Sequence, residues 1–369
     1  MSALPLYTPE FAGSADWFKP LRNWPRVAAD LLRATGSLAR VLITHVRGSA
    51  PRDAGSCMLV GPTEIQGTIG GGRLEWQAMA AARAFLSDAS APVARLQSLT
   101  LGTELGQCCG GVVELWLERY TSTDLPLLEK LAHGLERQQG NFLQTEWRHG
   151  QLSHRLLLQA DKLPGVPASG LRIVRGEQQV SLLERLEPAT PLWIYGAGHV
   201  GQALVRMLAE LPLSVTWLDD RRELMPARLP EGVAASSIGT PASSVASAPA
   251  GTRFLVMTHD HGLDYALCRA VLARGDAAWL GLIGSRSKSA RFRSRLRHDG
   301  VDESAIDGVT CPVGIEGIGS KWPAAIAVSI AAQILQTLPA GKPAHLPVHE
   351  PGCTPEACTS CHPIHGVRP

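Results

Sequence analysis

The chain has 369 residues, which on length alone means two domains or one large one. Its 35 Lys and Arg nearly cancel its 33 Asp and Glu, so net charge does not drive it onto nucleic acid. Hydrophobic residues make up 45% and charged residues 18%, the balance of a globular chain with a sizeable core rather than a disordered one.

The first residues, MSALPLYTPEFAGSADWFKPL, have neither a basic start nor an apolar run of the secretory type. The most apolar stretch, 324–335, is broken by Ser329 and Gln333 and is too short to cross a bilayer. A cytoplasmic protein with reduced cysteines is expected, with no membrane or nucleic-acid partner. Cys57, Cys268 and Cys311 stand alone and read as small buried hydrophobes.

The helical pattern at 24–38 is followed by an apolar strand at 41–46 and the turn-rich Gly48-Ser-Ala-Pro-Arg52. A second apolar run, 57–60, leads to Gly67-Thr-Ile-Gly-Gly-Gly72 and an Ala-rich helix over 74–86. The glycine string lacks the Lys-Ser/Thr ending of a P-loop, but Gly70, Gly71 and Gly72 with Arg52 nearby suit an anion nest. In Gly106-Gln-Cys108-Cys109-Gly110-Gly111, flanking glycines expose two adjacent thiols. These suit a soft metal or nucleophilic chemistry; a tight turn with buried small residues is the plainer alternative. Residues 112–117 alternate as a strand. Strands and helices mix without a βαβ rhythm, so 22–120 reads as an α+β domain and 121–187 as a connecting region.

From residue 190 the rhythm changes. A strand at 190–195 runs into Gly196-Ala-Gly198-His199-Val-Gly201, then a helix over 202–211 and a strand at 213–218 ending in Asp219-Asp220. This is the dinucleotide fingerprint: Gly196 for the tight turn, Gly198 for close approach of a pyrophosphate, Gly201 for helix–strand packing, and Asp219 near the ribose. Arg221 and Arg222 follow at once and suit a 2′-phosphate instead. Further strands at 253–257 and 279–283, with helices at 264–274 and 288–297, predict a Rossmann-like doubly wound parallel sheet over 188–338. The fold class is therefore α/β, an N-terminal α+β domain followed by that sheet. His259-Asp-His261 falls at the ligand edge of the sheet; a polar loop without metal is the plainer reading there. Gly284-Ser285-Arg286-Ser-Lys288 occupies the next edge loop and suits an oxyanion, against the alternative of a solvated helix start.

The tail, 339–369, is rich in Pro, His and Cys. Cys353, Cys358 and Cys361, with His362 and His365, suit Zn²⁺ or an iron–sulfur cluster, or simply a disordered tail.

In this order, the strings 48–52, 67–72 with Leu74-Glu75, Cys109–Gly111, 196–201, 259–261 with Asp264, and 282–286 with Lys288 resemble the XdhC/CoxI family. These are accessory proteins for xanthine dehydrogenase and related molybdenum hydroxylases. The resemblance covers about 24–338. It implies a maturation chaperone rather than an enzyme, one that binds the molybdenum cofactor (molybdopterin, often as a nucleotide form). The chaperone would hold the cofactor during sulfuration and insert it into an apo-xanthine dehydrogenase or related hydroxylase. Implied partners are that client, a cysteine desulfurase and a molybdenum cofactor nucleotidyltransferase, with room for a homodimer. Carry-over favours Cys109 for the cofactor, with Cys108 as its neighbour. The Cys-rich tail is not a family-wide feature. The rival reading is an NAD(P)-dependent oxidoreductase using the Rossmann half; an adaptor needing no ligand is a third.

Overall fold

The computed structural model describes residues 21, 23–88, 90–101, 110–137, 139, 141–157, 170–176, 179–230 and 232–338. They divide into an N-terminal unit ending at Pro188 and a C-terminal unit from Ala189.

In the N-terminal unit, α1 (Trp24–Thr35) starts at Asn23, whose side chain accepts from the Arg26 amide at 3.2 Å, and stops at Gly36 in the left-handed region (φ 77°). Strands β1 (Ser37–Arg47), β2 (Cys57–Val60), β3 (Ile65–Gly67), β4 (Ala94–Thr100) and β5 (Val112–Thr121) form an antiparallel sheet, ordered β3-β2-β1-β5-β4. The period of two explains its layers. On β1, Ala39, Val41 and Ile43 pack beneath α2 (Gly72–Ser87), with Ala78, Ala82 and Phe85. Leu38 and Leu42 face the other way, toward α1 and α3 (Leu125–Glu136).

That second layer also holds Leu143, Val180, Leu182 and Leu186, from a sheet that the sequence does not predict. Residues 121–187, read as a connecting region, carry β6 (Asn141–Arg148), β7 (Gln151–Leu157), β8 (Leu171–Gly176) and β9 (Gln179–Leu186), antiparallel in the order β7-β6-β9-β8. Arg40, on the same face as Leu38 and Leu42, ties the two sheets together. Its guanidinium meets Glu184 of β9 at 2.6 Å and Glu118 of β5 at 3.4 Å.

The C-terminal unit is a parallel, Rossmann-like sheet of β10 (Thr190–Tyr195), β11 (Leu213–Leu218), β12 (Val233–Ser236), β13 (Arg253–Val256), β14 (Trp279–Leu282) and β15 (Val309–Thr310). Its order is β12-β11-β10-β13-β14-β15, so the sequence direction reverses between β10 and β13. Ligands of doubly wound sheets bind at that reversal, beyond the carboxyl ends of the strands. The helices are α4 (His199–Leu208), α5 (Pro241–Ala246), α6 (His261–Arg274), α7 (Arg286–His298), α8 (Glu303–Asp307) and α9 (Pro323–Thr337). α4 and α9 pack together over Leu192, Ile194 and Leu255, while α5 and α6 cover Tyr195, Phe254 and Val256 on the opposite face. Cys57 and Cys268 are buried, and Cys311 is half-buried.

Candidate functional site

Three chain segments meet at one edge of the five-stranded sheet. The Gly111 amide, at the start of β5, donates to Ser49 O at 3.1 Å, and Leu101 N donates to Gly111 O at 2.8 Å. A Cβ on Gly111 would lie 2.4 Å from Ser49 O, and one on Gly70 would lie 2.5 Å from Pro51 Cβ. Only glycine permits this convergence of 48–52, 67–72 and 110–111. Arg52 is exposed there. Cys108 and Cys109 lie outside the described residues, in the stretch of sequence between Leu101 and Gly110.

The glycine nest is filled from within. Glu75, buried in the first turn of α2, accepts from the Thr68 hydroxyl at 2.5 Å, the Ile69 amide at 2.9 Å and the Gly71 amide at 3.1 Å. Gly70 N donates to Thr68 Oγ1 at 3.0 Å. The expected anion nest is thus already occupied by a carboxylate, which corrects the reading of Gly70 and Gly71 as open donors. Gly72, the first residue of α2, follows directly.

In the C-terminal unit the turn after β10 has the expected construction. Gly196 has φ 120°, and a Cβ there would lie 2.4 Å from Met257 O; one on Gly201 would lie 2.3 Å from Gly196 O. At Gly198 a Cβ would meet nothing within 4 Å. Gly198 is also the N-cap of α4 and offers no side-chain cap, so the first-turn amides of α4 are not answered by a capping side chain. His199 is exposed beside them.

Asp219 is not a free ribose acceptor. Its carboxylate accepts from Ala197 N at 2.7 Å, from Arg221 N and Nε at 2.9 Å each, and from Arg221 Nη2 at 2.8 Å. Burial pushes this carboxyl up, but the hydrogen bonds from Arg221 and Ala197 outweigh it and hold the group down at about 2. Asp219 therefore fixes the glycine turn against Arg221.

The next two edge loops are locked together. Asp264 accepts from Thr258 N at 3.0 Å and Thr258 Oγ1 at 2.7 Å, and pairs with Lys288 Nζ at 2.5 Å. Lys288 also donates to Ile283 O at 3.0 Å. His259 and His261 stand exposed on either side of Asp260, the N-cap of α6. Ser285 caps α7 by accepting from Lys288 N, and Arg286 is exposed at the first helical position.

Residues 192–334 match the XdhC Rossmann domain and residues 31–97 match the XdhC and CoxI family, together more than half of the chain. The chain belongs to the XdhC and CoxI family. A Bacillus subtilis protein described as a probable xanthine dehydrogenase subunit is 25% identical over 322 residues, 80% of this chain and 91% of that one. YqeB of Escherichia coli is 34% identical over 169 residues, 43% of this chain but only 30% of that protein's length. A crystal structure titled as a xanthine dehydrogenase from Bacillus halodurans shares the fold, with a TM-score of 0.70 at 19% identity over 88% of this chain and 98% of that one.

Within this family member, the sequence-predicted residues separate into those that face outward and those that do not. Gly198, His199, His259, His261, Ser285 and Arg286 lie along the ligand edge of the Rossmann sheet. Lys288 does not: it is 5% exposed and spent on Asp264, which corrects its reading as an oxyanion ligand. No group of three or more His, Cys, Asp or Glu able to hold a metal occurs among the described residues; Cys353, Cys358 and Cys361 lie outside them. Among the described residues no helix is long and apolar enough to cross a membrane. Sequence reasoning missed the loop after β15, Val313-Gly-Ile-Glu-Gly-Ile-Gly319, which lines a cavity of about 590 Å³ with Arg286. Its signal was the glycine spacing after a short strand and before a helix opening with Pro323.

Proposed function

We propose that this chain is a maturation protein for a xanthine dehydrogenase-type molybdenum hydroxylase, with the molybdenum cofactor as its cargo. Membership of the XdhC and CoxI family carries the coarse reading, supported by relatives described as xanthine dehydrogenase proteins. The cargo is a phosphorylated pterin, in bacteria often joined to a nucleotide. An open glycine turn at the amino end of α4 suits its phosphate, because the amides are unanswered and Gly198 leaves space. Residues to hold it are Gly196, Gly198, Gly201 and His199, with Arg286 as cation. Taken by itself, the N-terminal unit offers Arg52 as a cation and the Cys109 thiol, whose softness suits molybdenum–sulfur chemistry. The partners in this reading are the apo-hydroxylase, a cysteine desulfurase as sulfur donor, and a nucleotidyltransferase.

The test is cofactor content. Protein purified from cells making molybdopterin should carry pterin, by fluorescence after oxidation, and molybdenum in near-equal amounts. A preparation free of both, from cells whose hydroxylase is active, would sink the reading. The oxidoreductase alternative draws on the strand order and glycine turn, and it requires NAD(P)H turnover. The engagement of Asp219 by Arg221 weighs against a ribose-holding acid.

A further inference from the structure

Cys268 and Cys311 play no part in the site described above, yet the C-terminal unit aims both at one space. Cys268 lies on α6, 1% exposed, one helical turn beyond Asp264 and so on the same face of the helix. Cys311 follows β15 directly and is half-buried. Both line a narrow cavity of about 10 Å³, walled by Leu282, Phe292 and Val309, with Ser289 and Arg293 as its polar side. That space holds no organic ligand. A disulfide needs Cβ atoms about 3.5–4.5 Å apart, and walls that enclose no more than about one water leave the two thiols little distance to close.

The sulfurs also share their surroundings. Asp264 Oδ2 and Lys288 Nζ, 2.5 Å apart, act on both thiols, and the Cys311 sulfur acts on Cys268 in turn. The residue after Lys288 is Ser289, whose hydroxyl faces Cys311. The thiols thus flank one buried ion pair, Cys268 from α6 and Cys311 from the end of β15. They differ in how they can react. Burial pushes both up, and at Cys268 the Asp264 carboxylate pushes the same way. At Cys311 the Ser289 hydroxyl, Lys288 and Arg293 all favour the thiolate. Attack on sulfur needs a thiolate and access, so Cys311 reacts first and Cys268 second.

We infer that Cys311 and Cys268 form a disulfide by exchange with a low-molecular-weight disulfide of the glutathione class. The Cys311 thiolate attacks one sulfur of the external disulfide, whose S–S bond breaks. A mixed disulfide forms on Cys311, and the first external thiol leaves with the proton that Cys311 gave up. Cys268 then attacks the Cys311 sulfur, and the second external thiol leaves with the proton of Cys268. Two protein thiols are oxidised and one external disulfide is reduced. Disulfides of intracellular proteins are usually transient and redox-sensing, and this one fastens α6 to the start of the loop 312–319. Neither step uses the cofactor or the client of the proposed function.

The test incubates reduced full-length protein with oxidised glutathione, blocks remaining thiols with iodoacetamide and reads each cysteine by peptide mass spectrometry. The expected product is a cross-linked peptide joining Cys268 to Cys311, lost on treatment with dithiothreitol. In Cys268→Ala the reaction should stop with one glutathione on Cys311. In Cys311→Ala, Cys268 should stay unmodified, because it is buried and has lost its partner. A wild type in which Cys311 keeps its glutathione while Cys268 stays free overturns the pair, as does a wild type in which neither reacts. Modification of Cys268 in Cys311→Ala as fast as that of Cys311 in Cys268→Ala overturns the order of attack. The wild-type cross-link decides the pair by itself, so a variant that fails to fold leaves the test intact.

Discussion

Lys288 Nζ and Asp264 Oδ2 form an ion pair that is almost wholly buried, the two side chains 7% and 0% exposed. The pair bolts the loop after β13 to the loop after β14. Through Asp264 it holds Thr258, and through Lys288 it holds Ile283 O. These charges shape the ligand edge rather than contact a ligand.

Removing one partner leaves the other buried and uncompensated. Asp264→Ala should cost about 3–5 kcal/mol in urea denaturation. Replacing both, with Lys288→Met and Asp264→Leu, should recover most of that loss, since no bare charge remains. A single-variant loss below about 1 kcal/mol, the range of exposed pairs, would show that the pair is solvated.

Glu75 plays the matching part in the N-terminal unit. Glu75→Ala strips the Ile69 and Gly71 amides and the Thr68 hydroxyl of their common acceptor. The buried Ile69 amide left unmade costs about 1–3 kcal/mol and the half-buried Gly71 amide and Thr68 hydroxyl less, and Glu75→Gln, which keeps an acceptor, should cost less. In Glu75→Ala the emptied nest should take up an external anion, so added phosphate should raise its melting temperature more than the wild type's. An identical response in both proteins counts against the nest.

How far the sequence can be read follows from which side chains turn inward. β10, β11, β13 and β14 are visible because parallel strands buried on both faces read as apolar runs, and the 196–201 turn carries its own glycine signal. The sheet of β6 to β9 is hidden by charges at inward positions. On β9, Val180, Leu182 and Leu186 alternate inward, but the inward position between them is Glu184, paired among the described residues with Arg40, 144 residues away in sequence. The same blindness makes Lys288 look like a surface charge beside a ligand, because spacing does not reveal its buried partner Asp264.

The buried cluster around Glu118 should give the protein a pH profile with two limbs. Glu118 accepts from Trp116 Nε1 at 2.8 Å and from the Tyr120 hydroxyl, and it lies 3.6 Å from His154 Nε2 and 3.4 Å from Arg40 Nη1. Burial pushes its carboxyl up, but His154, Arg40 and Trp116 together bring it down to about 2 from 4.5. That stability is present above about pH 4.5 and is lost as pH falls toward 2. For His154, burial lowers the imidazole, yet the facing Glu118 and then Asp124 outweigh it and Arg40, so it ends above 6.5. Its contribution is full below pH 6.5 and fades as pH rises through the higher folded value. Melting temperatures should therefore peak between about pH 4.5 and 6.5, and His154→Phe should flatten the alkaline limb and, because His154 helps hold Glu118 down, make the acid limb shallower as well. Parallel alkaline slopes in the two proteins would remove His154 from the account.

Cys109 lies outside the described residues, so its prediction rests on chemistry alone. A serine hydroxyl is a poor ligand for a soft metal and a weak nucleophile at neutral pH. Cys109→Ser should abolish delivery of active cofactor to an apo-hydroxylase, measured as activity per bound molybdenum, with little change in melting temperature. Cys108→Ser should do less. Delivery by Cys109→Ser at the wild-type level would make the thiol structural.

The glycine turn allows the sharpest separation of fold from ligand, because its three glycines are constrained differently. Gly196→Ala and Gly201→Ala would drive a Cβ to within 2.4 Å of Met257 O and 2.3 Å of Gly196 O, and Gly196 also has a left-handed φ of 120°. Both variants should lose stability, on the order of 1–3 kcal/mol for displaced backbone and overpacking. At Gly198 the backbone is ordinary, φ −66° and ψ −179°, and a Cβ enters open space. Gly198→Val should therefore fold with a melting temperature close to the wild type's. Its isopropyl group, however, occupies the approach to the first-turn amides of α4, where a phosphate would sit. Cofactor retained on purification should fall by tenfold or more, the equivalent of about 1.4 kcal/mol. The same comparison with NADH separates the cargo reading from the oxidoreductase one, since only the ligand that uses this turn should respond. Undiminished retention of cofactor and of NADH by folded Gly198→Val would show that the turn is scaffold and no ligand site.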